Sequence, residues 1–149
     1  MAREFRLQVL LDLAQRHLDA ATVELQRLRS QWNDAQQKRD QLATYETEYA
    51  AGLRMRLSEG MPAHQANDYR LFLDKLARAI QAQSDEVERR RAAWEVGHAR
   101  WLGLKQRQEA LHVLAQRYDS AEAVLESRRE QKEQDEFALR SAKAGLPPN

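Results

Sequence analysis

From residue 7 to residue 53, apolar side chains recur at alternating intervals of four and three: Leu7, Leu11, Ala14, Leu18, Ala21, Leu25, Leu28, Trp32, Ala35, Arg39, Leu42, Glu46, Tyr49 and Leu53. Twelve of these fourteen are apolar, although only 42% of the chain is hydrophobic. A strand would alternate every second residue; this spacing lays one stripe along one side of a helix, as in a coiled-coil seam. A second seam starts at Tyr69 and continues through Leu73, Leu76, Ile80, Gln83, Val87, Arg90, Trp94, Gly97, Trp101, Leu104, Gln108, Leu111, Ala115, Tyr118, Glu122 and Leu125. Twelve of these seventeen are apolar, and no proline interrupts the pattern before Pro147.

Between the seams, "SEGMPAHQAN" (residues 58–67) is the one stretch where a helix has to stop. Gly60 suits the left-handed residue just past a helix end, and Pro62 the first position of the next helix, with Asn67 as a rival cap. A short connection between two long helices makes them antiparallel neighbours. The expected fold is therefore all-α: two long helices in an antiparallel coiled coil, the C-terminal one longer. The boundaries read as helix one over about 4–58, a turn over about 59–63, helix two over about 64–142 and a disordered tail over 143–149, all in a single coiled-coil domain.

Pairing residue i with residue 122 − i puts every seam position opposite another. The layers then read Leu11–Leu111, Leu18–Leu104, Ala21–Trp101, Leu25–Gly97, Leu28–Trp94, Ala35–Val87, Leu42–Ile80 and Tyr49–Leu73. Small faces large at Trp101 and Gly97, as close packing requires. Arg39 and Gln83 fall opposite each other and read as a register-fixing polar layer. Trp32–Arg90 and Glu46–Leu76 fit less well, beyond snorkelling of the long charged side chains. The paired helices would extend roughly 80–90 Å, and Ser120 to Ala142 would overhang by roughly 30 Å without a partner.

Composition agrees with long helices: 32% of residues are charged, and only five Gly and three Pro occur. Residues 1–56 carry nine basic and eight acidic groups and residues 57–149 fifteen of each, so no basic excess points to nucleic acid. The run Arg89-Arg90-Arg91 follows Asp85, Glu86 and Glu88 and reads as a salt-bridged helix surface. There is no cysteine, hence no disulfide framework and no thiolate chemistry. "LQVLLDLA" near the N-terminus is too short to span a bilayer and contains Asp12, so neither a signal peptide nor a membrane helix is expected, and the compartment reads as cytoplasmic.

Catalytic chemistry finds no foothold. His17, His64, His98 and His112 have no Cys or carboxylate at metal-ligand spacing and read as solvated surface groups, His98 and His112 in exposed helix. No Gly-rich phosphate loop occurs, and two helices supply no concave pocket. The chain reads as a non-enzyme without catalytic residues, metal or cofactor. What stands out is an apolar edge beside the turn. With Leu42, Tyr49, Leu76 and Gln83 at d, the residues Lys38, Tyr45, Phe72 and Ala79 are at g, and in an antiparallel pair the g edges lie side by side. Leu42, Tyr45, Tyr49, Phe72, Leu76 and Ala79 thus form one surface that two helices cannot fully bury, which marks a protein-docking site.

"FRLQVLLDLAQRHLDAA", then "YETEY", then "GM" followed by "YRLFLDKLARAIQ", and finally "REQKEQDEFALR" together resemble the FliJ family of the flagellar type III export apparatus. The resemblance covers about Phe5 to Arg140. It implies a stalk-like antiparallel coiled coil that binds within the export ATPase ring, docks on the cytoplasmic domain of the membrane export gate and escorts export chaperones. Such a protein is cytoplasmic and peripherally associated with the inner face of the membrane at the flagellar base. By position the family's gate-binding surface falls on Leu42, Tyr45, Tyr49, Phe72, Leu76 and Ala79, while Lys38 and Gln83 depart from the Gln and His other members commonly carry. The overhanging tail, with Glu130, Asp135, Glu136 and Arg140, is the expected ATPase contact. Rival readings are a generic coiled-coil scaffold and the equivalent stalk protein of a virulence-type secretion system.

Overall fold

In a computed structural model, which describes residues 2–145, the chain forms two helices joined by a three-residue connection. Helix α1 spans Ala2–Glu59 and α2 spans Ala63–Lys143, arranged as an antiparallel hairpin with the C-terminal helix the longer. The connection works by backbone chemistry. Gly60 follows the last residue of α1 with φ 92°, a left-handed conformation that only glycine adopts without strain, and its N–H donates to Leu57 O at 3.4 Å. The Pro62 carbonyl accepts from Gln65 and Ala66 N–H at 3.1 and 3.2 Å, so proline is the cap of α2, one residue ahead of the first-turn place expected for it. Asn67 lies inside the helix and caps nothing. At the far end Ala144 and Gly145 (φ 73°) close α2 by donating to Arg140 O and Ala142 O. Of the disordered tail expected over 143–149, residues 146–149 lie outside the described residues.

Two compact units divide the chain, residues 18–103 and residues 1–17 with 104–149. In the first, the seam positions from Leu18 to Leu53 and from Tyr69 to Trp101 are buried or half-buried, with Ala35, Leu53, Leu76 and Val87 the most enclosed. Among the described residues no large side chain is fully buried, because two helices share a seam but have no interior. A methyl added to Gly97 would lie 2.5 Å from Leu28 Cδ1 and 3.8 Å from Leu25 Cδ1, so glycine here lets the helices approach. Gln83 donates to the Ala35 carbonyl across the seam at 3.1 Å. Trp101 Nε1 donates to Thr22 Oγ1 at 2.9 Å, and Thr22 Oγ1 donates to Leu18 O.

Those contacts straddle the expected register, and the structure corrects two of its details and one expectation about a histidine. Arg39 does not meet Gln83: it turns outward to Asp40 at 3.2 Å, since a guanidinium loses less hydration at the edge than in the seam. Gln83 reaches the Ala35 carbonyl because alanine has no side chain long enough to cover it. Trp32 does not pack on Arg90 but on Trp94 (ring centroids 5.5 Å apart), with the Arg29 guanidinium 4.1 Å from its centre, while Arg90 bonds to Gln31 and Glu86. His98 is not a solvated histidine. It is half-buried and stacked between Trp94 and Trp101, with ring centroids at 5.0 and 6.0 Å.

In the second unit Leu7, Leu11, Leu104, Gln108, Leu111, Ala115 and Tyr118 are half-buried and Ala14 is buried. The seam ends at Tyr118: every residue from Asp119 to Arg140 is exposed, including the seam-phase positions Glu122 and Leu125. Partial burial, then the nearby Glu122 carboxylate, hold the Tyr118 phenol above its ordinary pKa.

Candidate protein-docking surface

Residues near the turn are placed by the heptad phase of each helix. Tyr45 and Tyr49 are one turn apart on α1, and Tyr69 and Phe72 sit in the opening turns of α2, so four rings converge where the helices begin their pairing. Tyr49 is the hub. Its ring lies 4.4 Å from that of Phe72, 5.1 Å from Tyr69 and 5.7 Å from Tyr45. Tyr45 meets Phe72 edge-on at 6.2 Å and 71°, the geometry in which a positive ring edge faces a negative ring face. The Arg56 guanidinium lies 5.5 Å from the Tyr69 ring and closes the cluster on the turn side.

Of the six residues expected to form the docking edge, the structure gathers Tyr45, Tyr49 and Phe72 into this cluster, with Tyr45 48% and Phe72 36% exposed. Leu42 is half-buried and Ala79 exposed. Both line an adjoining groove of about 780 Å³ whose walls include Lys38, Gln83, Glu86 and Arg90. Leu76 is different: at 7% exposure it belongs to the seam rather than to the exposed edge. An edge reading of the sequence cannot separate the two roles, because d positions grade from core to rim with the local tilt of the partner helix.

Two arginines of the charged run, Arg89 and Arg90, line this groove, Arg91 follows them, and all three are paired. Arg89 and Arg90 bond to Glu86 at 2.7 and 2.6 Å, and Arg91 bonds to Glu88 and Glu95. Hydrogen bonds from Arg89 and Arg90 hold the Glu86 carboxyl below its ordinary pKa, the Arg91 hydrogen bond does the same to Glu88, and Arg27 to Glu24. The run is a self-neutralised helix surface. Among the described residues no group of His and carboxylates could hold a metal ion, and no helix is long and apolar enough to cross a membrane.

Glu130, Asp135, Glu136 and Arg140 all lie on the exposed stretch of α2. Glu136 and Arg140 are neighbours at i,i+4, while Glu130 and Asp135 project from other sides of the helix, so the four do not make one face. Asp135 accepts from Gln131 at 3.2 Å, and Glu130 borders a hollow with Glu133, Gln134 and Phe137, the last 70% exposed.

A family model described as "Flagellar FliJ protein" matches residues 3–145, nearly the whole chain. The chain belongs to the FliJ family. It is thereby a component of the flagellar protein export apparatus, and of the readings the sequence leaves open it is the flagellar one that this match supports. FliJ-family relatives agree in extent: the chain is 29% identical over 142 residues to the flagellar FliJ proteins of Salmonella typhi and of Escherichia coli strain K12, covering 95% of this chain and 97% of each relative. No solved structure matches. What sequence reasoning missed is the mid-helix cluster of Trp32, Trp94, His98, Trp101 and Arg29; the three tryptophans at a positions were its visible signal.

Proposed function

We propose that this FliJ-family chain is a non-enzymatic stalk of the export apparatus that docks on the cytoplasmic domain of the export gate through the ledge of Tyr45, Tyr49 and Phe72. Leu42 and Ala79 extend the ledge, and Leu76 belongs to the seam. The single observation that carries the reading is a four-ring cluster at one end of a two-helix seam, in which Tyr49 and Tyr69 belong to the seam while Tyr45 and Phe72 stand outside it and are left exposed. Large half-exposed aromatic groups concentrate binding energy at protein interfaces. The e positions of the opposite edge near the turn carry Ala43, Ala50, Leu57, Arg70 and Ala77, none of them aromatic, so the ring cluster is one-sided.

On the same reading the exposed end of α2, with Glu130, Asp135, Glu136 and Arg140, enters the export ATPase ring, and the helices escort export chaperones. The protein works in the cytoplasm, held peripherally at the inner membrane face at the flagellar base. The test of the docking role is the double variant Tyr45→Ala with Phe72→Ala. Removing hot-spot aromatics costs about 2 kcal/mol or more, so gate binding falls by roughly thirtyfold or more, and motility with it, while helicity and ATPase binding hold. If the double variant binds the gate domain as the parent does, the ledge is not the docking surface.

A further inference from the structure

Past Tyr118 the d positions of α2 are Leu125, Lys132 and Leu139, and both leucines are exposed along with every other residue from Asp119 to Arg140. The helix is unbroken from Ala63 to Lys143, so this overhang does not turn back on its own seam. A lone helix of such length is marginal in water without a packed face. The paired part of the same compact unit, residues 1–17 with 104–118, has the matching deficit. At the g positions flanking its seam stand Leu10 and Leu114, with Leu13 one turn beyond Leu10, and all three are exposed. The e positions on the other edge carry Gln8, Gln15, Lys105 and His112, so the uncovered apolar strip lies on one side. Charge divides along the same line. Residues 119–140 hold seven acidic and four basic groups, a net −3, whereas residues 1–17 with 104–118 hold six basic and three acidic, a net +3.

We propose that this unit is a self-association surface, on which a second copy of the chain lays its acidic overhang along the basic, leucine-edged pair of the first. Two-fold symmetry makes the exchange reciprocal: each copy gives one overhang and receives one, so a single contact covers both uncovered apolar strips. The occupant follows from the charges. Equal and opposite excesses stand side by side in one unit, and an unbroken helix keeps them from meeting within one molecule. A second copy supplies the complement of both at once, as electrostatically matched interfaces require. The inference goes beyond the gate-docking reading, which concerns residues near the turn.

Sedimentation equilibrium of the full chain across the micromolar range reads the pairing. The parent forms a dimer that loosens as salt rises, because its charge contacts are screened. Reversing the overhang, by Glu133→Lys with Asp135→Lys, weakens self-association by roughly tenfold or more, as does reversing the receiving pair, by Arg107→Glu with Arg117→Glu. All four residues are exposed, so helicity by circular dichroism stays at the parent value. Mixing the two reversed variants restores a one-to-one pair, because a basic overhang then meets an acidic receiving pair and an acidic overhang a basic one. A parent that is monomeric throughout, a mixture that stays unpaired, or pairing that survives truncation after Ser120 overturns the inference. So does a chain that remains monomeric and shields its overhang from proteolysis only when purified export ATPase is added, which assigns the surface to the ATPase instead.

Discussion

Leu76 offers the sharpest separation of seam residue from contacting residue. At 7% exposure it is one of the most enclosed side chains of its unit, and Leu76→Ala removes three carbons from that place. At about 0.8 kcal/mol per buried methylene the transfer loss is roughly 2.4 kcal/mol. The added cavity cost is small because solvent lies one side chain away and the site can relax, so the total sits near the lower end of the usual range, about 2–3 kcal/mol. For a chain of this length each kcal/mol moves the midpoint by about 2–4 °C, so the melt shifts down by roughly 4–12 °C. Thermal melts by far-UV circular dichroism measure the shift, and gate affinity measured well below the midpoint should stay near the parent value. Tyr45→Ala, at a 48% exposed position, should show the reverse: a small stability change and a large affinity loss. A Leu76→Ala variant that melts within about 2 °C of the parent yet loses the gate would refute the assignment, on the scale of an ordinary surface change.

Truncation after Ser120 removes only residues beyond the seam, so the melt should stay near the parent while ATPase binding is lost; retained binding would move the contact elsewhere. Thr22→Val deletes the acceptor of Trp101 Nε1 and should cost about 1 kcal/mol in thermal melts, with no loss counting against that bond. Ala21→Cys with Trp101→Cys should crosslink within one chain under oxidation, and crosslinks appearing only between chains would contradict the hairpin pairing. The lowered pKa values of Glu24, Glu86 and Glu88 stabilise the fold above 4.5, the ordinary glutamate value, and that contribution disappears as pH falls through their lower folded values. The melting temperature should therefore fall on acidification below about pH 4.5, modestly because the pairs are exposed, and a rise would contradict the pairing.

The seam was the most legible part of the sequence. All fourteen positions from Leu7 to Leu53 are buried or half-buried, and the second seam holds from Tyr69 to Tyr118 before failing at Glu122. Periodicity reads well here because in a two-helix structure the seam is almost the only place an apolar group can go. The turn was legible through Gly60, whose positive φ follows from its missing Cβ. Long side chains were not. Trp32 and Arg90 share a nominal layer, but an indole can span to the next layer and a guanidinium can leave for the edge, so Trp32 joined Trp94 and Arg90 joined Gln31. At the candidate site, heptad letters located Tyr45 and Phe72, but Leu76, grouped with them as an edge residue, is an enclosed seam residue at 7% exposure.

A photo-crosslinking amino acid placed at Tyr45 in flagellated cells tests the docking account most directly. The account predicts a covalent product with the cytoplasmic domain of the export gate. The same group at Ala77, an exposed residue on the opposite edge at the same level, should give none. A gate crosslink from Ala77 and not from Tyr45 would contradict the account, because it would put the docking face on the alanine edge and leave the aromatic ledge without its partner.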